Sequence, residues 1–133
     1  MNTSNKTKLK IYKIKPAFKD ERGEILDILE ARVEHIGIVT FKKPGVKRGN
    51  HYHKKSIQYT YVLNGKIRLI TADFDGKNRK EFILTQGSFT VIPPKVIHLY
   101  ISMTDAKIID ITTISRKKDG YEKDTQRADI DKI

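Results

Sequence analysis

The chain has 133 residues, with 27 Lys+Arg against 16 Asp+Glu and a formal net charge of +11. At about 100–200 residues per domain there is no room for two, and a chain this size buries about two-thirds of its unfolded surface, enough for a core without staples. The absence of Cys excludes disulfide frameworks, thiolate zinc sites and cysteine nucleophiles.

In chain order, the first seven residues are polar and are expected to fray. The start, MNTSNKTKLKIYK, has no apolar h-region of the kind a secretory signal carries. Leu9, Ile11 and Ile14 mark a first strand, 24–29 (EILDIL) a second and 36–41 (IGIVTF) a third. Residues 57–63 alternate, with Ile57, Tyr59, Tyr61 and Leu63 on one face and Gln58, Thr60 and Val62 on the other. Asn64-Gly65 reads as a two-residue hairpin turn that returns 66–74 as the partner strand. Asp75-Gly76 marks a further turn, in which Asp73 and Asp75 are expected to be solvated. Strands at 81–84, 89–92, 98–102 and 107–113 follow, and the charged tail from Arg116 is read as a loop or short helix. Short strands with Gly, Pro and Asn punctuation predict an all-β sandwich or barrel. The boundaries are a single domain over 1–133, with a core of about 8–115 and a charged tail over 116–133. The longest uncharged run, 82–94, is far shorter than the roughly 20 residues of a membrane helix. A soluble cytoplasmic protein is expected, with no membrane partner.

The basic charge is mostly lysine, spread along the chain and interleaved with acids. Lysine is a point charge and not a bidentate reader of bases. The charge is therefore read first as solvated surface, next as steering of a small phosphorylated ligand, and least as a nucleic-acid footprint.

Three of the four histidines fall into one pattern. Gly45 is followed after five residues by His51, after one by His53, after four by Gln58 and after six by Gly65. Gly87 is followed after five residues by Pro93 and after four by His98. Residues two apart on a strand face the same way, so His51 and His53 point together. If the strands close into a barrel, these two, Gln58 and His98 converge inside it, where polar groups cost stability unless they have work to do. Two chemistries compete for them. Neutral imidazoles suit Zn, Ni, Fe, Mn or Cu, with His51, His53, His98 and Gln58 as ligands. Alternatively a histidine is a general base, with a pKa near working pH.

This spacing resembles the two motifs of the cupin superfamily, G-x5-H-x-H-x(3,4)-E-x6-G and G-x5-P-x-G-x2-H-x3-N. It departs from them at Gln58 (usually Glu), Lys95 (usually Gly) and Ser102 (usually Asn). The resemblance implies a jelly-roll β-barrel. The string PGVKRGNHYHKK over 44–55 further resembles the R-G-x-H segment of cupins acting on nucleotide sugars. These are the 3,5-epimerases of the rhamnose pathway, the dTDP-4-keto-6-deoxyglucose 3,4-ketoisomerases, and the cupin of a capsule-synthesis enzyme acting on a UDP-4-ketohexose. Phe18, Asp20, Arg22 and Gly23 resemble the F-x-D-x-R-G start of that group, and Tyr121 and Asp124 resemble its C-terminal Tyr/Asp run. Where the ketoisomerases carry tyrosines before the loop, this chain has Val39, Thr40 and Phe41.

The resemblance implies a dTDP- or UDP-linked keto-sugar substrate, a homodimer that exchanges N-terminal strands, and no required cofactor. His51 would take the proton from C3 beside the C4 ketone, and His53 would reprotonate or orient the enediolate. Arg48, Asn50, Gln58 and Tyr100 are the expected substrate contacts, Arg48 on the diphosphate. Tyr61 or Tyr100 could donate to the enolate oxygen, although Tyr61 lies on the apolar face and is expected to be core packing. The alternatives are a metal-dependent cupin, either a dioxygenase or a small-molecule isomerase, and a non-catalytic sugar-binding cupin. His35 is expected to be a surface histidine, Lys54 and Lys55 surface charge near the site, and Arg22 with Gly23 a turn with an ion pair.

Overall fold

The computed structural model describes residues 7–132, and the polar start before residue 7 lies outside the described residues. The strands are β1 Lys10–Lys13, β2 Phe18–Asp20, β3 Gly23–Ile25, β4 His35–Phe41, β5 Lys47–His53, β6 Gln58–Asn64, β7 Ile67–Asp73, β8 Lys80–Leu84, β9 Ser88–Ile92, β10 Val96–Ser102, β11 Ala106–Thr112 and β12 Thr125–Arg127. One helical turn, α1 Gly120–Asp124, and a 3₁₀ turn, Ile130–Lys132, complete the described chain. Among the described residues no helix is long and apolar enough to cross a membrane.

Two five-stranded antiparallel sheets, ordered β1-β9-β6-β11-β4 and β12-β5-β10-β7-β8, face each other as a jelly roll. Alternation within each strand sends one set of side chains between the sheets. Phe41, Val62, Ile67, Leu69, Leu84, Ile92 and Ile108 fill that space at one end. Burying each of these is worth roughly 1.5–3 kcal/mol. The outer faces are covered as well. Leu26, Ile28 and Leu29 pack with Tyr61, Phe89 and Val91 on the first sheet. Ile130 and Ala128 pack with Ile70, Ala72, Ile97 and Leu99 on the second. Tyr61 is thus core packing, as its apolar face predicts.

Three sequence expectations are corrected. The 24–29 strand ends at Ile25, where β3 pairs only with β2, and the next residues lie across the first sheet as an apolar arm. The Asn64-Gly65 hairpin does not form. β6 pairs with β9 and β11, while β7 pairs with β10 and β8 in the other sheet. Gly65 alone takes a positive φ, 90°, and a Cβ there would collide with the Asp105 carbonyl, so the turn carries the chain across the barrel. A type I′ turn would need both residues left-handed. The charged tail also folds back: β12 pairs with β5 and Ile130 is buried.

Smaller expectations hold. β7 and β8 form the hairpin across Asp75-Gly76, and Asp20 pairs with Arg22 at 2.6 Å. Lys95, in place of the usual Gly, has φ 67° and donates its N–H to the His53 carbonyl. Ser102 donates to the Lys43 carbonyl at 2.7 Å and accepts from Val46 N–H at 2.9 Å, pinning the β4–β5 loop.

Candidate functional site

The site is built on β5, and an irregularity in that strand decides what it presents. Against β10, His51 sits opposite His98 and Gly49 opposite Leu99, so Asn50 is one residue too many. Gly49 and Asn50 have φ of 98° and 62°, a β-bulge. A Cβ on Gly49 would stand 2.7 Å from the His98 carbonyl oxygen, so only glycine fits. The bulge shifts the alternation. Arg48, opposite inward-facing Tyr100, and His51, opposite inward-facing His98, both line the cavity although they are three residues apart. Simple alternation would have put them on opposite faces.

The cavity, about 390 Å³, lies between the sheets and borders the apolar core at Phe41, Tyr100 and Ile108. That size suits part of a small ligand. A larger space of about 760 Å³ beside Phe74 and Pro93 is lined by no histidine. His51, His53 and His98 meet in the first cavity. The His51 ring centroid is 5.1 Å from that of His53 and 4.7 Å from that of His98, with Tyr121 packed edge-on at 6.1 Å. Tyr100 lies below, its hydroxyl engaged with Thr60 at 2.9 Å and Thr90 at 3.4 Å. Burial pushes the Tyr100 phenol far above its usual range, so it stays protonated. It is a floor residue with an occupied hydroxyl, not the free donor that the sequence suggested.

The three imidazoles differ in what their nitrogens can do. His53 Nε2 lies 2.8 Å from Gln58 Oε1, and Gln58 Nε2 donates to Asp110 Oδ1 at 2.8 Å. His53 Nδ1 lies 3.3 Å from both Asp124 Oδ2 and Thr125 Oγ1. Both His53 nitrogens therefore face protein partners. Burial lowers the His53 pKa, against the opposing pull of Gln58 and Asp124. His98 Nδ1 faces the Val96 carbonyl at 3.2 Å and carries its proton there, so Nε2, buried and unpartnered, holds a lone pair. Burial first, then His51 and His53, keeps His98 neutral. His51 has no hydrogen bond to protein among the described residues. Its pKa is lowered to about 4 by burial, then by His53 and Arg127, so the ring is neutral at neutral pH, but its pKa lies well below the near-working-pH value expected of a general base from the sequence.

The three rings offer ligand atoms within 4.8 Å of one another. Three imidazoles suffice to hold a divalent cation, and this set could do so, although in the hydrogen bonding seen here His53 Nε2 is engaged with Gln58 and Gln58 is engaged at both ends.

The tail supplies what the motifs do not. Thr125 pairs with His53 and Arg127 with His51 along β12. Asp124 accepts from Lys55 N–H at 2.8 Å and from Ser56 N–H at 3.3 Å, tying α1 to the β5–β6 turn. Arg116 sits over the Tyr121 ring at 4.5 Å. Arg48 donates to the Thr40 carbonyl at 3.1 Å. With Lys47 and Arg127 these form a cationic mouth.

Asn50, expected on the substrate, turns away: as the bulge residue it accepts from Ile130 N–H at 3.0 Å and anchors the tail. His35, expected at the surface, lines the cavity with a buried, unpartnered Nδ1, and burial and Arg116 lower its pKa. Asp110 was missed altogether. Burial, opposed by Arg116 and Gln58, raises its pKa to about 6. A single Asp in an apolar run, at the alternation position that faces Gln58, was the available signal.

A profile described as "Cupin domain" matches residues 37–112, more than half of the chain. No curated protein matches it in sequence. Solved structures share the fold. A 3,4-ketoisomerase from Helicobacter canadensis is 22% identical with a TM-score of 0.75, over 93% of this chain and 92% of that one. A point variant of a 3,4-ketoisomerase from Thermoanaerobacterium thermosaccharolyticum, in complex with TDP-4-keto-6-deoxyglucose, is 19% identical with a TM-score of 0.74, over 93% and 92%. A dTDP-4-dehydrorhamnose 3,5-epimerase from Sulfolobus tokodaii is 20% identical with a TM-score of 0.73, over 90% and 76%.

Proposed function

This chain belongs to the cupin domain family, and from that premise we propose that it is a cytoplasmic isomerase of a nucleotide-linked 4-keto-6-deoxyhexose, specifically a dTDP-4-keto-6-deoxyglucose 3,4-ketoisomerase. The observation that carries the proposal is His51: a neutral imidazole without a protein partner, inside a cavity with a cationic mouth. Solved relatives of the same fold include ketoisomerases, one of them with TDP-4-keto-6-deoxyglucose bound.

The chemistry follows from the residues. His51 takes the C3 proton, made acidic by the C4 ketone, and the electron pair moves to O4 as a 3,4-enediolate. The proton returns at C4 while the O3 hydroxyl proton moves to O4, so the ketone ends at C3 without any oxidant. Tyr121, against the His51 and His53 rings and with no hydroxyl partner among the described residues, donates to the enolate oxygen. Arg48, Arg116 and Arg127 hold the diphosphate at the mouth, where guanidinium forks match its oxygens. His53, both nitrogens engaged, orients and does not react. In this reading the reaction needs no resident metal, which is supported by the hydrogen bonds that tie up His53 and Gln58. The close approach of the three imidazoles, the unpartnered His51 ring and the unpartnered His98 Nε2 are on the side of a metal.

We also read the protein as a homodimer. Ile36 and Ile38, 65% and 67% exposed on edge strand β4, favour a second copy there, and sedimentation tests it.

The test of the activity is His51→Asn. It should bind the nucleotide sugar with affinity within about threefold of the parent, yet lose C3 exchange by more than 100-fold, as removal of a general base does. Exchange that survives the substitution assigns the base elsewhere.

A further inference from the structure

Asp110 reaches His53 only through Gln58, and the direction of that chain is set by chemistry. A carboxylate only accepts hydrogen bonds. The Gln58 atom facing Asp110 Oδ1 at 2.8 Å must therefore be the NH₂ group. That turns the Gln58 carbonyl toward His53, and a carbonyl also only accepts. His53 must then carry a proton on Nε2, 2.8 Å away. At the other edge of the ring, Asp124 Oδ2 faces Nδ1 at 3.3 Å and also asks for a proton. Two carboxylates thus press opposite demands on one imidazole, one directly and one through an amide.

We propose that Asp110 is a positioning residue: acting through Gln58, it fixes the proton of His53 on Nε2, against the preference of Asp124 for Nδ1, and so sets the direction of the ring dipole beside His51. The role of this dipole in turnover rests on the isomerase reading above, whereas the proton's location does not. Thr125 Oγ1, 3.3 Å from Nδ1, is the donor that keeps the remaining lone pair from facing Asp124 alone. The arrangement also explains why Gln stands where the cupin motif usually has Glu. A Glu at position 58 would set a carboxylate against Asp110 across a single hydrogen-bond distance.

The experiment is imidazole ¹⁵N NMR on histidine-labelled protein at pH 8, which reads which ring nitrogen carries the proton. The parent should show His53 protonated on Nε2. Asp110→Asn has the same shape but can donate as well as accept. Gln58 is then free to turn over, and the proton should move to Nδ1, reversing the population ratio by at least tenfold. Asp124→Asn should leave it on Nε2. A parent protonated on Nδ1, or an Asp110→Asn spectrum identical to the parent's, overturns the proposal without needing any substrate. With the keto-sugar nucleotide, Asp110→Asn should lower kcat for C3 exchange about tenfold with KM little changed. A moved proton with an unchanged kcat overturns the part played in turnover. No exchange in the parent would count against the isomerase reading and leave the proton's location decided by the spectra.

Discussion

Asp110 is a carboxyl group held in the cavity wall, and its pKa, raised from 3.8 to about 6, makes it a stability liability. The folded state holds this proton more tightly than the unfolded chain does. The cost of ionising it is absent below about pH 4, appears between 4 and 6, and is complete above 6. At 1.36 kcal/mol per pH unit, the rise amounts to about 3 kcal/mol. Asp110→Asn mimics the neutral acid and removes that cost. Urea denaturation should show it more stable than the parent by about 2–3 kcal/mol at pH 8, with the advantage gone by pH 4. The histidines act in the opposite sense. His51, lowered to about 4, favours folding while neutral, and both proteins lose that contribution as the pH falls from 6.5 to 4. Asp110 offsets part of this loss in the parent only, so Asp110→Asn should be the more acid-sensitive of the two. A stability difference independent of pH, or a variant less stable at pH 8, refutes the burial argument.

Substitutions at three other positions test the framework. Gly49→Ala forces a left-handed alanine whose Cβ meets the His98 carbonyl, and should cost about 3 kcal/mol in thermal or chemical melts. Lys95→Gly relieves a left-handed φ of 67° and, after the entropy of a freer unfolded chain, should gain about 0.5–1 kcal/mol, while Lys95→Ala gains nothing. Arg116→Gln removes both a mouth cation and its stacking on Tyr121, and should weaken TDP binding about tenfold by calorimetry at low salt, with a smaller loss at high salt.

The fold was legible because alternation, turn residues and the histidine spacing all act locally. His51, His53, Gln58 and His98 converge as their offsets imply: His51 and His53 share one face of β5, His98 lies beside them on β10, and Gln58 meets them from β6 in the facing sheet. Partner choice was not legible. Asn64-Gly65 is a strong local hairpin signal, but β6 and β7 gain more by pairing in opposite sheets and enclosing the core. The inward turn of Arg48 and outward turn of Asn50 depend on a bulge that only the Gly49–His98 approach reveals. Asp124 was visible only through the resemblance of Tyr121 and Asp124 to a C-terminal Tyr/Asp run, and Thr125 and Arg127 were hidden because a charged tail reads as a loop or short helix. The tail is held by features that carry no pattern in sequence: three bridged residues along β5, a buried Ile130, and the Asn50 side chain. His35 faces the cavity because β4 runs to its mouth, which its own neighbours in sequence do not disclose.

The central claim is proton abstraction at C3 by a protein base. It is tested most directly by incubating the protein with dTDP-4-keto-6-deoxyglucose in D₂O and following loss of the C3 proton and incorporation of deuterium at C4 by NMR, with and without a chelator. The account predicts enzyme-dependent incorporation that survives the chelator and a product with its ketone at C3 and deuterium at C4. Incorporation abolished by the chelator and restored by added metal would contradict it, as would no incorporation from either the dTDP or the UDP sugar.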